Sequence, residues 1–102
     1  MEAGGSMLDW LTRWYESQCD GEWEHAYGVA IDTLDNPGWS LKVDLTGTSL
    51  EGKTLDRIDH DMEHETGWWT CWTEANQFRA AGGPQQLASV ISAFRDWADR
   101  VQ

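Results

Sequence analysis

His60, His64 and Cys71 are the residues of this 102-residue chain whose types suit a metal ion. In the run His60-Asp61-Met62-Glu63-His64 the two imidazoles stand four positions apart. On a helix that spacing puts both on one face, where they can grip one zinc ion. On a strand the same pair lies about 13 Å apart, too far to share an ion. The position after His60 carries Asp61, where a zinc protease carries its glutamate. Cys71 or His25 can supply a third ligand. The competing reading of the run is a polar, solvated strand.

A second stretch offers different chemistry. Gly47 to Thr54, GTSLEGKT, matches the phosphate-loop pattern letter for letter. That motif works when backbone N–H groups wrap a phosphate at a helix start, after a buried parallel strand. Here the preceding residues alternate apolar and polar, as in a half-exposed strand, and Glu51 brings an anion towards the phosphates. The residues therefore favour a plain loop between two strands. Cys19 and Cys71 lack the neighbours that mark a nucleophile. Cys71 reads as a small core residue. No Ser/His/Asp set or nucleophile elbow is visible, so no catalytic residue and no cofactor is assigned.

The third stretch is acidic. Asp56, Asp59, Asp61, Glu63 and Glu65 form a charged row if the segment is extended. Such a row can imitate a phosphate backbone and fill the basic cleft of a nuclease. It can equally be the wet face of an edge strand, where charge blocks aggregation. Trp68-Trp69 follows, and adjacent residues of a strand point to opposite faces. One of the two indoles then anchors a protein partner unless a loop covers it.

Composition narrows the classes. Eighteen acids against seven bases give a formal charge of −11. That opposes direct binding to nucleic acid or an anionic membrane, both polyanions. It favours association with a basic partner. Two cysteines are too few for a disulfide scaffold. The start, MEAGGS, lacks a basic region and an apolar core, and no run of 18 apolar residues occurs. These features predict a cytoplasmic protein with reduced thiols. Residues 1–5 are expected to be a disordered arm and 6–102 a single domain with an aromatic core drawn from eight tryptophans.

The elements that must position these residues follow from periodicity. Ser6 is expected to cap a first helix whose face is Leu8, Leu11, Trp14 and Tyr15, ending near Cys19. Glu24 to Leu34 reads as a strand with Tyr27, Val29, Ile31 and Thr33 on its bulky face. Asn36-Pro37-Gly38 reads as a type II turn, with Gly38 taking positive φ. Trp39 to Leu45 returns with Leu41, Val43 and Leu45 on one face. Burying one face of both strands requires an odd loop of three or five residues, with Ile31 opposite Val43 and Thr33 opposite Leu41. Thr54 to Glu65 fits a helix or a strand, and strict alternation favours the strand. Trp68 to Glu74 is a further strand, Asn76-Gln77 a turn, and Phe78 to Ala81 a short fifth strand. Gly82-Gly83-Pro84 opens a last helix with Leu87, Val90, Ile91, Phe94, Trp97, Ala98 and Val101 as its apolar stripe. The fold class is thus α+β: an antiparallel meander sheet of four to five strands, packed on one face by an N-terminal and a C-terminal helix.

Three blocks of the chain resemble a known family. They are WLxxWYxxQCDGEWEHxYGVxIxTLDNPGW at 10–39, DLTGTxLEGK at 44–53, and GGPxxL at 82–87 with Phe94 and Trp97. Together they look like the immunity protein 53 family, from Leu8 to Trp97. The resemblance implies an α+β immunity protein of a bacterial polymorphic toxin locus, not an enzyme, which binds and neutralises a toxin domain. It supplies no catalytic residue or cofactor, and it makes Gly47–Thr54 an inter-strand loop. The expected partner is the cognate toxin, a nuclease with a basic cleft being the case that the charge suits. Charge and exposure place the contact on Glu22, Trp23 and Glu24 with Asp56, Asp59, Asp61, Glu63 and Trp68. The alternative is a small metal- or ligand-binding protein using His60, His64 and Cys71.

Overall fold

The computed structural model of the chain describes residues 6–101. The elements are α1 (Ser6–Gln18), α2 (Trp23–Ala26), β1 (Val29–Leu34), β2 (Gly38–Asp44), β3 (Ile58–His60), β4 (Trp69–Glu74), β5 (Gln77–Gly82) and α3 (Leu87–Val101). The five strands form one antiparallel sheet in the order β1-β2-β5-β4-β3. With the two long helices this is the expected α+β class. The strand order is not that of a simple meander. After β2 the chain passes to the far edge as β3, returns inwards as β4, and sets β5 between β4 and β2. The expected arm at 1–5 and the Ser6 side chain lie outside the described residues.

The C-terminal helix is where periodicity is most reliable. Val90, Ile91, Phe94, Trp97 and Ala98 are buried at helical spacing, and α3 lies over β5, β4 and β2. Its start is later than expected: Pro84 sits in a turn before the helix, and the Gln86 carbonyl accepts the first bond, from Val90 N–H. The first helix, α1, packs on α3. Its inner stripe is Met7, Trp10, Leu11 and Trp14, while Leu8 and Tyr15 of the expected face are exposed. Phe94 decides this rotation. Trp10 and Trp14 both set an edge against its ring, at 5.5 and 5.0 Å between centroids.

The hairpin of β1 and β2 has the predicted three-residue loop, and the odd count keeps like faces together. The register is two residues from the one expected: Ile31 pairs with Leu41 and Val29 with Val43. Gly38 does not take the positive φ assigned to it. It is needed for closeness, since a Cβ there would stand 2.3 Å from the Gly82 carbonyl oxygen. The positive φ belongs to the next hairpin. Ala75 and Asn76, at +50° and +62°, join β4 to β5 in a two-residue turn, one position earlier than predicted.

The expected long strand from Glu24 is broken. Residues 23–26 wind into a helical turn, and Gly28 at φ +103° turns the chain into β1. The segment 54–65 is strand only over Ile58–His60, and 61–67 turn back towards β4. Leu41, Val43, Leu45, Leu50, Phe78 and Cys71 meet α3 in the core. Among the described residues no helix packs on the other face of the sheet, where the Arg57 guanidinium lies 5.3 Å from the centre of the Trp72 ring on β4.

Candidate functional site

The structure separates the residues expected to share a contact surface. Trp23 is not on a surface at all. Its side chain is 2% exposed, sets an edge against Trp14 at 5.8 Å, and its Nε1–H donates to the Asp44 carbonyl at 3.1 Å. The loop before it folds to put it there. Asp20 Oδ1 accepts from the N–H groups of Glu22 and Trp23, both at 3.0 Å. The Glu24 carboxylate reaches back to the N–H groups of Asp20 and Gly21, at 2.9 and 2.8 Å. This reciprocal cap satisfies the donors that open a helix. The N–H groups of Trp23 and then Glu22 hold the Asp20 carboxyl below its usual range. The Glu24 carboxyl is lowered by its own N–H and by those of Asp20 and Gly21. Glu24 is thus a structural anion, and of the three residues only Glu22 projects freely.

Trp23 hangs from the Asp44 end of β2. The other half of the expected surface surrounds β3, three strands away and towards the opposite strand ends. Strand spacing and rise put the two groups roughly 20 Å apart. They are two patches.

Around β3, Asp56, Asp59, Asp61, Glu63 and Glu65 are all exposed. Asp59 is occupied. It accepts from Arg57 Nε at 2.8 Å and from Thr70 Oγ1 at 2.7 Å, and these donors, Arg57 first, hold its carboxyl below the usual range. Asp61 lies 3.3 Å from His60 Nε2 and takes a positive φ of 49° that ends the strand. Among the described residues Asp56, Glu63 and Glu65 make no ion pair. Trp68 is half-buried, with its carbonyl accepting from Gly83 N–H at 2.9 Å. The rim therefore carries exposed carboxylates, of which Asp59 and Asp61 have partners, and one partly open indole.

The histidines and Cys71 do not converge. His60 stacks on Trp69 at 5.1 Å between ring centres. His64 Nδ1 accepts from the N–H groups of Thr66 at 3.2 Å and Gly67 at 2.8 Å, which closes the 61–67 turn. Cys71 is in the core, and burial pushes its thiol up to about 11, so it stays protonated at neutral pH. Among the described residues no three His, Cys, Asp or Glu side chains stand close enough to hold a metal ion. The metal reading gains nothing from this geometry.

The 47–54 segment is a core-anchored loop. Leu50 is fully buried, and Thr48 Oγ1 donates to the Leu45 carbonyl while accepting from Leu50 N–H. The amides that a phosphate would use are taken: Gly47 N–H donates to Glu51 and Gly52 N–H to Asn76 Oδ1. An edge strand, not a helix, follows it.

The Asp20–Glu24 cap and the Arg57–Trp72 contact were not read from the sequence. The cap had a signal: an Asp four residues before a Glu, bracketing Gly21. The exposed face of β4 had none, because strand pairing decides which tryptophan reaches the open side.

Fold and composition define a small α+β protein with a helix-covered sheet and a formal net charge of −11. The chain belongs to the immunity protein 53 family, whose model matches residues 8–99. Neither a curated protein nor a solved structure matches it. No helix among the described residues is long and apolar enough to cross a membrane.

Proposed function

We propose that this chain is a cytoplasmic, non-enzymatic immunity protein of a bacterial polymorphic toxin system, which neutralises its toxin domain by covering the active site. Family membership supports the toxin as partner. The observation that carries the mode of binding is the β3 rim, where Asp56, Asp61 and Glu63 stand exposed and Trp68, just before β4, is half-buried. Exposed carboxylates on a chain of charge −11 fit a basic cleft, such as that of a nuclease. Asp59 holds the strand to β4 and leaves the outer acids to meet the partner. Charge of this kind acts mainly on the rate of association, and added salt weakens it.

The test is the double variant Asp61→Lys, Glu63→Lys, mixed with an inactivated toxin domain encoded beside this chain. The rim reading expects association slowed by about tenfold or more at low salt, with melting temperature unchanged. Unaltered association would remove the rim from the interface.

A further inference from the structure

The edge strand β1 lies outside the three strands that α3 mainly covers. Its main packing partner is β2, while α3 lies over β2, β5 and β4. Ile31, on its helix-side face, is 40% exposed, and Tyr27 just before it is 50% exposed. Six residues long, it has neither Pro nor Lys, and it pairs one-to-one with β2 without a bulge. Those are the devices by which natural edges are blocked.

Its free hydrogen-bonding groups can be assigned. Asp44 N–H donates to the Gly28 carbonyl at 3.1 Å, so Gly28 faces β2. Alternation along an antiparallel pair then turns Ala30, Asp32 and Leu34 towards β2. Val29, Ile31 and Thr33 aim their N–H and C=O groups outward. Side chains at these three positions lie on the helix side of the sheet, and Ala30 and Asp32 lie on the open side.

Charge names the occupant. Asp20 and Glu22 stand near the start of β1, Asp32 is within it, and Asp35 follows it, all exposed. No base occurs from Asp20 to Pro37 other than His25. A second copy of the chain would bring the same acids together. We propose that β1 accepts an extended, Lys/Arg-bearing segment of the toxin domain as a sixth strand. The segment places apolar side chains beside Val29 and Ile31 and a Lys or Arg beside Asp32. The inference rests on the toxin being the partner but not on the β3 rim being a contact. Backbone bonds hold the segment, and alternate side chains select it.

Amide hydrogen exchange, read with and without the inactivated toxin domain encoded beside this chain, tests the pairing. In the complex the amides of Val29, Ile31 and Thr33 should exchange at least tenfold more slowly than in the free chain. A complex in which these three amides keep their free rates overturns the proposal. Failure to form any complex overturns the toxin reading itself. Protection of the three amides in the free chain, at twice the monomer mass, assigns the edge to a second copy and also overturns it. Ile31→Pro removes an outward N–H that β2 does not use, and should weaken binding by about tenfold. Ile31→Lys, which keeps the backbone intact, should also weaken it by setting a cation beside a basic segment. Unchanged affinity in both variants rejects strand addition.

Discussion

The two edges of the sheet are built in opposite ways. The β3 edge is three residues long, ends in a positive-φ aspartate, and is pinned by side chains: Thr70 Oγ1 bonds both Asp59 and the Ile58 carbonyl. The β1 edge is six residues long, regular, and held by its ladder with β2. One edge is short and charged, which deters pairing; the other keeps a row of free backbone groups. The difference separates two ways of meeting a partner. A charged rim steers and orients, whereas an open strand supplies directed hydrogen bonds.

The largest expected effect tests how β1 is held. Leu41 and Ile31 face each other across the ladder, yet Leu41 is buried and Ile31 is not. Leu41→Ala should cost about 2–5 kcal/mol in urea unfolding, through lost burial and a cavity. Ile31→Ala should cost less than about 1 kcal/mol. Equal losses would mean that β1 is packed after all, and the contrast between the edges would fail.

A smaller effect is expected at β3. Thr70→Val keeps the side-chain shape and removes the donor to Asp59. It should cost about 1 kcal/mol and speed exchange around Ile58–His60, leaving β1 amides unchanged. Loss of protection along the whole sheet would show that the two edges are not independent.

The smallest is a pH effect. The Asp20, Glu24 and Asp59 carboxyls are held below their usual values. A lowered pKa stabilises the folded state fully above the unfolded value, about 4, and that stability is lost as pH falls through the folded value. Acid should therefore loosen the 20–24 turn and the β3 pin. A Glu24→Gln variant should show a shallower loss of melting temperature below about pH 4 than the parent. Identical acid profiles would remove Glu24 as a contributor.

Much of this was readable in the sequence because it is local. The Leu87–Val101 stripe and the odd hairpin loop follow from periods of 3.6 and 2. The family match covers the same blocks that carry the resemblance. What was not readable depends on distant partners. Phe94 takes Trp10 and Trp14 of α1 against its ring, which leaves Tyr15 at the margin, against Trp23 and partly exposed. Gly38 leaves room for the Gly82 carbonyl of β5, and Gly82 leaves room for Val90 of α3; β5 itself sits in the middle of the sheet. The acidic stretches looked like one surface because each is exposed in character. Topology sets them three strands apart, and the Asp20 cap helps to place Trp23 in the core.

The central claim is that this chain acts by binding a toxin domain directly. Calorimetric titration of the purified chain into the inactivated toxin domain, at low and at high salt, measures that most simply. The account predicts a one-to-one complex whose affinity falls as salt rises. No association at low salt, or an affinity indifferent to salt, would contradict it.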